Sequence, residues 1–470
     1  MRSPLFLFFS TALLAGAASA AQTEYLGLYM QGGKVGYSSY SAGPAKLNGK
    51  KVTKTVSTTK LSLKVIGQDT KVSIDGVTFA DAHGHPIRMT FDQVSAGRRQ
   101  YVVADFGPTS AKIRVDNSGT ISVKKLPIPK GAEIVDDPME GLVFAKAKRG
   151  QTKTVYVLDP TTISFVKNTI EYKGKANTDV HGKPVTAEWV QIRDPRANTD
   201  VYCKANGDLV KVAAPLGIEM YPESKSLAMS PASGDSKVDL ASGSRITPVG
   251  MLTSPERLID LKLDIKAPGL ERLPSDDHQT ATKTGATWQL EVHPPRTNVP
   301  AGTTIAAAAK GHEVWIKADL NVPAHTARFQ KLANEILGGE TDVTKAAAKI
   351  QLYVYHKMRP DASIAVLRDA NEVLDTCRGV CRDYAILTAT LLRAAGIPTR
   401  LATGLVSWDG DFYYHAWVSV FDGKHWIGID STTDEPQISA AHIELAVGSV
   451  GDAFTGPVLD HPVLKVVSSQ

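Results

Sequence analysis

The stretch Asp375–Pro398, "DTCRGVCRDYAILTATLLRAAGIP", decides how the chain is read. Cys377 and Cys381 stand four positions apart at the head of a helical pattern, in a chain with one other cysteine, Cys203. Tyr384, Leu387, Leu391 and Ala395 recur at helical spacing, Gly396 supplies a left-handed stop and Pro398 forbids continuation. A helix from about Cys381 to Ala395 is therefore predicted. Cys381 falls in its first turn, where unpaired backbone N–H groups and the positive end of the helix dipole favour a thiolate. Gly379 lets the chain turn tightly into that helix, and Cys377, outside the first turn, is the poorer nucleophile.

A thiolate needs a proton carrier, and "FYYHAWVSVFDGKHWIGIDSTTDEP" from Phe412 supplies candidates. Asp422-Gly423 reads as a two-residue primed hairpin turn. If Phe421 pairs with Lys424, His415 falls opposite Asp430 and Trp417 opposite Gly428. Opposed residues have Cβ atoms about 4.5 to 5.5 Å apart, close enough for a carboxylate to hold one imidazole nitrogen and aim the other at a thiol. A cysteine alone reads as a buried spectator and a strand histidine as structural; the conjunction points to chemistry. His425, just past the turn, and His442, beyond the hairpin with no evident orienting acid, are weaker bases.

Outward from this region the texture changes. "TARFQKLANEILGG" and "VTKAAAKIQLYVYHKM" predict two helices before the cysteines. Residues 21–221 alternate in short runs broken by turn residues and read as strands. "DAHGHPIRMTF" at Asp81 is echoed by "DVHGKPVTAEW" at Asp179, and "IRVDNSGTISVKKL" at Ile113 by "VYCKANGDLVKV" at Val201, which suggests a duplicated antiparallel β unit. His83 and His181 at the hairpin corners lack carboxylate or cysteine company at ligand spacing and read as solvated turn residues. Residues 222–255, rich in Ser, Ala, Gly and Pro, read as a linker; 256–320 resume strands, and 321–470 form an α+β domain.

Compartment and composition narrow the function. "MRSPLFLFFSTALLAGAASA" reads as a signal peptide over residues 1–20, with no cysteine near the cut to carry a lipid. The expected location is periplasmic or secreted, without stable membrane insertion. Net charge is +5, and the basic residues are scattered rather than striped with aromatics, so no nucleic-acid partner is implied. Three cysteines cannot build a disulfide framework, although a reversible Cys377–Cys381 bond that gates the thiol is conceivable in an oxidising compartment. No oligomeric state is readable.

"RGVCRDYAILTATLLRAAGIPTRLATGL" followed by "HAWVSVFDGKHWIGIDST" resembles the catalytic core of the transglutaminase-like superfamily. Its bacterial members carry a G-x-C motif opening a helix, an "LLRAAGIP"-type segment, an H-A-W strand and a strand ending in Asp. The resemblance covers roughly Val343 to Glu435 and implies a papain-like α+β core, with Cys381 as nucleophile, His415 as base and acid, and Asp430 as orienting group. Ser431 departs from the Asp-Pro of many members. The implied reaction is acyl transfer on an amide (protease, amidase or transglutaminase type) in a protein, peptide or cell-wall substrate, with no cofactor and no metal. The backbone N–H of Cys381 is the expected oxyanion donor, joined by a side chain from among Gln351, Tyr353 and Tyr355. A rival reading is a non-catalytic cell-envelope binding or assembly protein with a vestigial core.

Overall fold

Turns with positive φ at two successive residues organise the first half of the chain. Gln31-Gly32, Asn48-Gly49, Ile66-Gly67, Ala96-Gly97, Ser118-Gly119 and His181-Gly182 all adopt this conformation, the one that matches the twist of paired strands. The structure, a computed structural model, describes residues 23–139, 144–231, 238–295, 302–364, 366–435 and 437–470. The expected signal peptide lies outside them. The described chain forms two compact units that change over between Gly243 and Ser244, inside the Ser/Ala/Gly-rich span; a short return, Ser363–Val366, belongs to the first.

In the first unit the strands are β1 (Glu24–Met30), β2 (Gly33–Leu47), β3 (Lys50–Val65), β4 (Gln68–Ala80), β5 (Pro86–Ser95), β6 (Arg98–Phe106) and β7 (Ser110–Asn117). They continue as β8 (Thr120–Pro127), β9 (Thr152–Asp159), β10 (Ser164–Val180), β11 (Lys183–Asp194), β12 (Ala197–Cys203), β13 (Leu209–Ala214) and β14 (Ile218–Pro222). All join one sheet in the order β8 through β1, then β14 back to β9. The chain thus meanders to one edge, restarts at the other and closes on itself where Leu26 pairs with Pro222 and Met30 with Ile218. Between two neighbours, β1 buries Leu26, Leu28 and Met30. The strip bends until distant strands touch: the Phe106 ring lies 6.4 Å from Phe165, and Thr78 Oγ1 donates to Asp136 at 2.9 Å. Helices α1 (Lys225–Ala228) and α2 (Leu240–Gly243) follow, held where Asp239 accepts from the Ile66 and Gly67 amides.

The sequence echoes fall on the β4–β5 and β7–β8 hairpins and on β10–β11 and β12–β13. One strand, β6, separates the first two hairpins and none separates the second two, so the halves do not superpose strand for strand. Similar corner chemistry accounts for the likeness, and duplication is not established. His181 is a turn residue with φ +52°, yet its ring packs 4.2 Å from Tyr221 and so has company on one side.

The second unit begins with β15 (Leu261–Lys266), β16 (Gln279–Thr284), β17 (Thr287–Val292) and α3 (Ile305–Ala309). Next come α4 (Ala327–Leu337), α5 (Val343–Lys357), β18 (Arg359–Pro360), α6 (Ala370–Thr376), β19 (Arg378–Gly379) and α7 (Cys381–Ala394). It ends with β20 (Thr399–Trp408), β21 (Asp411–Phe421), β22 (Trp426–Ile429), β23 (His442–Gly448), α8 (Val450–Phe454) and β24 (Val463–Ser469). The core sheet runs β22-β21-β20-β23, and an accessory sheet β16-β17-β15-β24 ends on the last strand of the chain. Spans 256–320 and 321–470 thus share one unit. Helix α7 is buried from Cys381 through Arg393, packed by α4, α5 and α6 and by β20 and β21. Its charged Arg393 survives burial by donating to the Thr399 carbonyl from Nε and Nη2 and to the Lys317 carbonyl from Nη1.

Gly404 on β20 sits where an added Cβ would lie 1.8 Å from the Ile443 carbonyl oxygen, a backbone atom that cannot rotate away. Gly404→Ala is therefore expected to destabilise the core sheet by about 3 kcal/mol or more, read as a shift of the denaturant midpoint. An unchanged midpoint would show that β20 and β23 are not this close.

Candidate active site

Cys381 is the first residue of α7, and the turn that delivers it is built from buried charge. Asp383 accepts from the Val380 amide at 2.9 Å and from Arg368 Nε at 3.2 Å, and Arg368 Nη2 reaches the Arg378 carbonyl. A Cβ on Gly379 would lie 2.5 Å from Asp383 Oδ2 and 2.6 Å from Arg368 Nη2. Glycine is thus required there for space, rather than for the tight turn expected from the sequence. Cys377 caps α6 with φ +50°, and its thiol donates to the Leu374 carbonyl at 3.0 Å. None of the three cysteines is in a disulfide. Burial, with Asp137 and Asp208 nearby, pushes the Cys203 thiol up to about 12.

The hairpin that carries His415 does not have the expected register. Phe421 pairs with Trp426, Ser419 with Gly428 and Val418 with Ile429. The turn spans four residues because the Asp422 carboxylate captures the Lys424 and His425 amides, at 2.8 and 2.7 Å. That capture displaces the two-residue primed turn. The register therefore differs by two residues, an even number, so the same side chains face the same way. Extending it by one pair aligns Asp430 with Trp417, and His415 approaches Asp430 diagonally. Opposite Gly428 stands Ser419, and the space over that glycine belongs to Ile438, whose Cδ1 would meet an added Cβ at 2.0 Å.

The diagonal approach is sufficient. His415 Nε2 donates to Asp430 Oδ2 at 2.6 Å, and Asp430 Oδ1 accepts from the Thr432 amide and hydroxyl, each at 2.8 Å. His415 also hydrogen-bonds with the Cys381 side chain. Because Nε2 is taken by Asp430, Nδ1 is the nitrogen left for the thiol. Burial pulls His415 down, but Asp430 and Cys381 together outweigh it and raise the imidazole to about 9. Burial works against Asp430 too, yet His415 and His442 hold its carboxyl well below the usual range.

Two contacts fix the strand exit to the helices. Ser431 Oγ lies 2.7 Å from Thr388 Oγ1 on α7, so the residue that follows Asp430 bonds to the helix headed by Cys381. Gln351 Nε2 on α5 donates to the Thr433 carbonyl at 2.6 Å and lies 3.4 Å from the Asp430 carbonyl. Gln351 is thus occupied in holding this loop. Of the other suggested oxyanion donors, Tyr353 packs against the hydrophobic core and Tyr355 lies edge-on to His356, with ring centroids 5.2 Å apart.

Sequence reasoning undervalued His442. It lies on β23 with Nε2 3.5 Å from Asp430 Oδ2, edge-on to Trp417 at 5.2 Å. The acid beside it is Asp430, which no local pattern could disclose because β23 joins the core sheet through β20. His425 is half exposed and 3.9 Å from Asp277, outside this cluster.

Further along β23 a second polar group is enclosed. Glu444 is buried, with Oε2 lacking a hydrogen-bond partner among the described residues, while its backbone exchanges bonds with the Gln279 side chain. Burial, then the nearby Asp276, pushes its carboxyl up to about 8 against the pull of Arg400. The folded state therefore keeps a proton that the unfolded chain releases near its usual value. The corresponding stability is complete below that value and is lost as pH rises through about 8. Glu444→Gln is expected to remove this loss, raising stability by about 1–3 kcal/mol at pH 8 and changing it little at pH 4. Thermal melts across this range check it.

Residues 330–431 match the transglutaminase-like superfamily core. An uncharacterized Mycobacterium leprae protein is 35% identical over 85 residues, 16% of this chain and 30% of that protein, so the chain spans under a third of that relative's length. Among solved structures, a candidate cysteine protease from Cytophaga hutchinsonii is 17% identical, with 48% of this chain and 84% of that one covered and a TM-score of 0.29. A β-barrel-like protein of a domain of unknown function from Brucella abortus is 14% identical, covering 43% and 95%, at 0.31. A candidate protease from Parabacteroides distasonis is 13% identical, covering 81% and 70%, at 0.20.

Proposed function

With a transglutaminase-like core as premise, we propose that the chain is an exported thiol-dependent enzyme that breaks amide bonds by acyl transfer, using Cys381, His415 and Asp430. The observation that carries the reading is the 2.6 Å contact of His415 Nε2 with Asp430 Oδ2 beside a cysteine that opens a buried helix. Asp430 fixes the imidazole's orientation and compensates its positive charge. Nδ1 takes the thiol proton, and the sulfur attacks the carbonyl carbon of a carboxamide or peptide bond. The developing oxyanion turns toward the Cys381 backbone N–H. The proton then passes from Nδ1 to the leaving amine, and a water molecule, deprotonated by the same nitrogen, cleaves the thioester.

Hydrolysis of a peptide or cell-wall amide is the outcome we favour over transfer to a second amine, on the expectation that the chain works alone outside the cytoplasm. Among the described residues no helix is long and apolar enough to cross a membrane.

In chelator-treated buffer with reductant at pH 6, iodoacetamide should label Cys381 at least tenfold faster than Cys377 or Cys203. His415→Ala should slow that labelling by about 10- to 100-fold, and Asp430→Asn by less, because the base remains. Omitting reductant tests for a Cys377–Cys381 disulfide. Product masses from a peptide and cell-wall library, with and without added amine, separate hydrolysis from transfer. Equal labelling of Cys377 and Cys381, unaffected by His415→Ala, would replace this reading with the vestigial core.

A further inference from the structure

His442 has no part in the reaction just described, and its surroundings are unusual. The residue is 7% exposed, and neither ring nitrogen has a well-formed hydrogen bond among the described residues; its polar contacts, with Asp430 and the Ser439 backbone, are weak ones. Buried polar groups without well-formed hydrogen bonds are costly and rare, so an imidazole held this loosely calls for a physical reason. Its Nε2 lies 3.5 Å from Asp430 Oδ2, the same oxygen that accepts His415 Nε2 at 2.6 Å. One ligand atom from each of the three side chains lies within 4.8 Å of the other two. We propose that His415, Asp430 and His442 form a binding site for a divalent transition metal ion, zinc by preference, and that the bound ion switches the thiol off.

The donor set selects the ion. Two imidazole nitrogens and one carboxylate oxygen suit zinc, whereas calcium and magnesium require oxygen ligands. Around a tetrahedral zinc with bonds near 2.0 to 2.2 Å, neighbouring donor atoms stand about 3.3 Å apart. The His442–Asp430 gap of 3.5 Å already has that span. The His415–Asp430 contact of 2.6 Å has to open by roughly 0.7 Å, and the ligand atoms of His415 and His442, within 4.8 Å of each other, have to close by up to about 1.5 Å, both within reach of side-chain rotation. Water completes the coordination.

Supporting contacts hold the donors in place. His278 Nε2 donates to the backbone carbonyl of His442 at 2.6 Å, and Trp417 closes against its ring. The Thr432 amide and hydroxyl occupy Asp430 Oδ1, which leaves Oδ2 for an ion. Such outer contacts commonly decide metal affinity.

The switch follows from proton positions. Without metal, His415 Nε2 carries the proton donated to Asp430, and Nδ1 exchanges a proton with the Cys381 sulfur. Zinc at Nε2 breaks that N–H bond and forms a Zn–N bond. The proton moves to Nδ1, or to solvent if Nδ1 already carries one; in either case Nδ1 keeps a proton that the metal-bound ring cannot cycle between the thiol and the leaving amine. Binding of the ion does not depend on the acyl-transfer reading; only its effect on the thiol does.

The test uses tag-free full chain, stripped with chelator and dialysed, titrated calorimetrically with zinc ion alone at neutral pH. One zinc per chain is expected, bound at least about tenfold more weakly by folded His442→Gln and within about threefold of normal by Cys381→Ser. Saturating zinc should slow iodoacetamide labelling of Cys381 at least about tenfold. Cobalt bound to the unaltered chain should absorb in the visible without a thiolate charge-transfer band, a readout that needs no variant. No saturable binding, equal binding by His442→Gln, or loss of binding in Cys381→Ser with a thiolate–cobalt band in the unaltered chain would overturn the site. Zinc bound through His442 with labelling unchanged would keep the site and overturn the switch.

Discussion

The buried pair of Arg368 and Asp383 sets the position of everything around Cys381. Both side chains are fully enclosed: Arg368 also donates to the Thr376 hydroxyl and the Arg378 carbonyl, and Asp383 also accepts from the Val380 amide and lies 3.7 Å from the buried Arg382. Arg368 ties the end of α6 through Thr376, the loop through the Arg378 carbonyl and the first turn of α7 through Asp383. Removing Asp383 would leave the buried Arg368 without its carboxylate, and removing Arg368 would leave Asp383 with the more distant Arg382; either loss costs far more than the pair contributes when intact. The loop consequently has one place to go, and the thiol at its end is delivered to one point.

From that point the strand side must meet the helix side. Thr388 and Ser431 join α7 to the exit of β22, and Gln351 joins α5 to the same loop. These bonds lie in a region where His415, Cys381 and Asp430 are each nearly withdrawn from solvent. Low polarity strengthens the attraction among the three and weakens the hydration that would stabilise each charge alone. The opposite displacements of His415, upward, and Asp430, downward, are one effect seen from its two ends.

What could be read from the sequence was what local rules govern. The bounds of α7 were legible because apolar spacing, Gly396 and Pro398 agree, and Gly396 does adopt φ +83°. The strand-rich first half was legible because its corners carry Asn-Gly, Ser-Gly and similar pairs. The hairpin at Asp422 misled because two local rules compete there: the Asp-Gly pair favours a primed turn, and the aspartate side chain can instead gather the amides that follow. Non-local facts stayed hidden. Nothing in the sequence announces that β24 pairs with β15, that Arg368 answers Asp383, or that β23 brings His442 to Asp430.

Counting the lone pairs of Asp430 makes this last contact more than an ornament of the fold. A carboxylate accepts about four hydrogen bonds. Thr432 supplies two to Oδ1 and His415 supplies one to Oδ2. One position remains on Oδ2, and the group nearest to it is a buried imidazole at 3.5 Å, too long for a good hydrogen bond and close to the separation of two donors on a common metal. A residue needed only to fill space at this site could be leucine, which carries no desolvation cost. Histidine, buried and without a well-formed hydrogen bond among the described residues, beside a carboxylate that has one position to spare, makes sense when Asp430 serves two imidazoles rather than one.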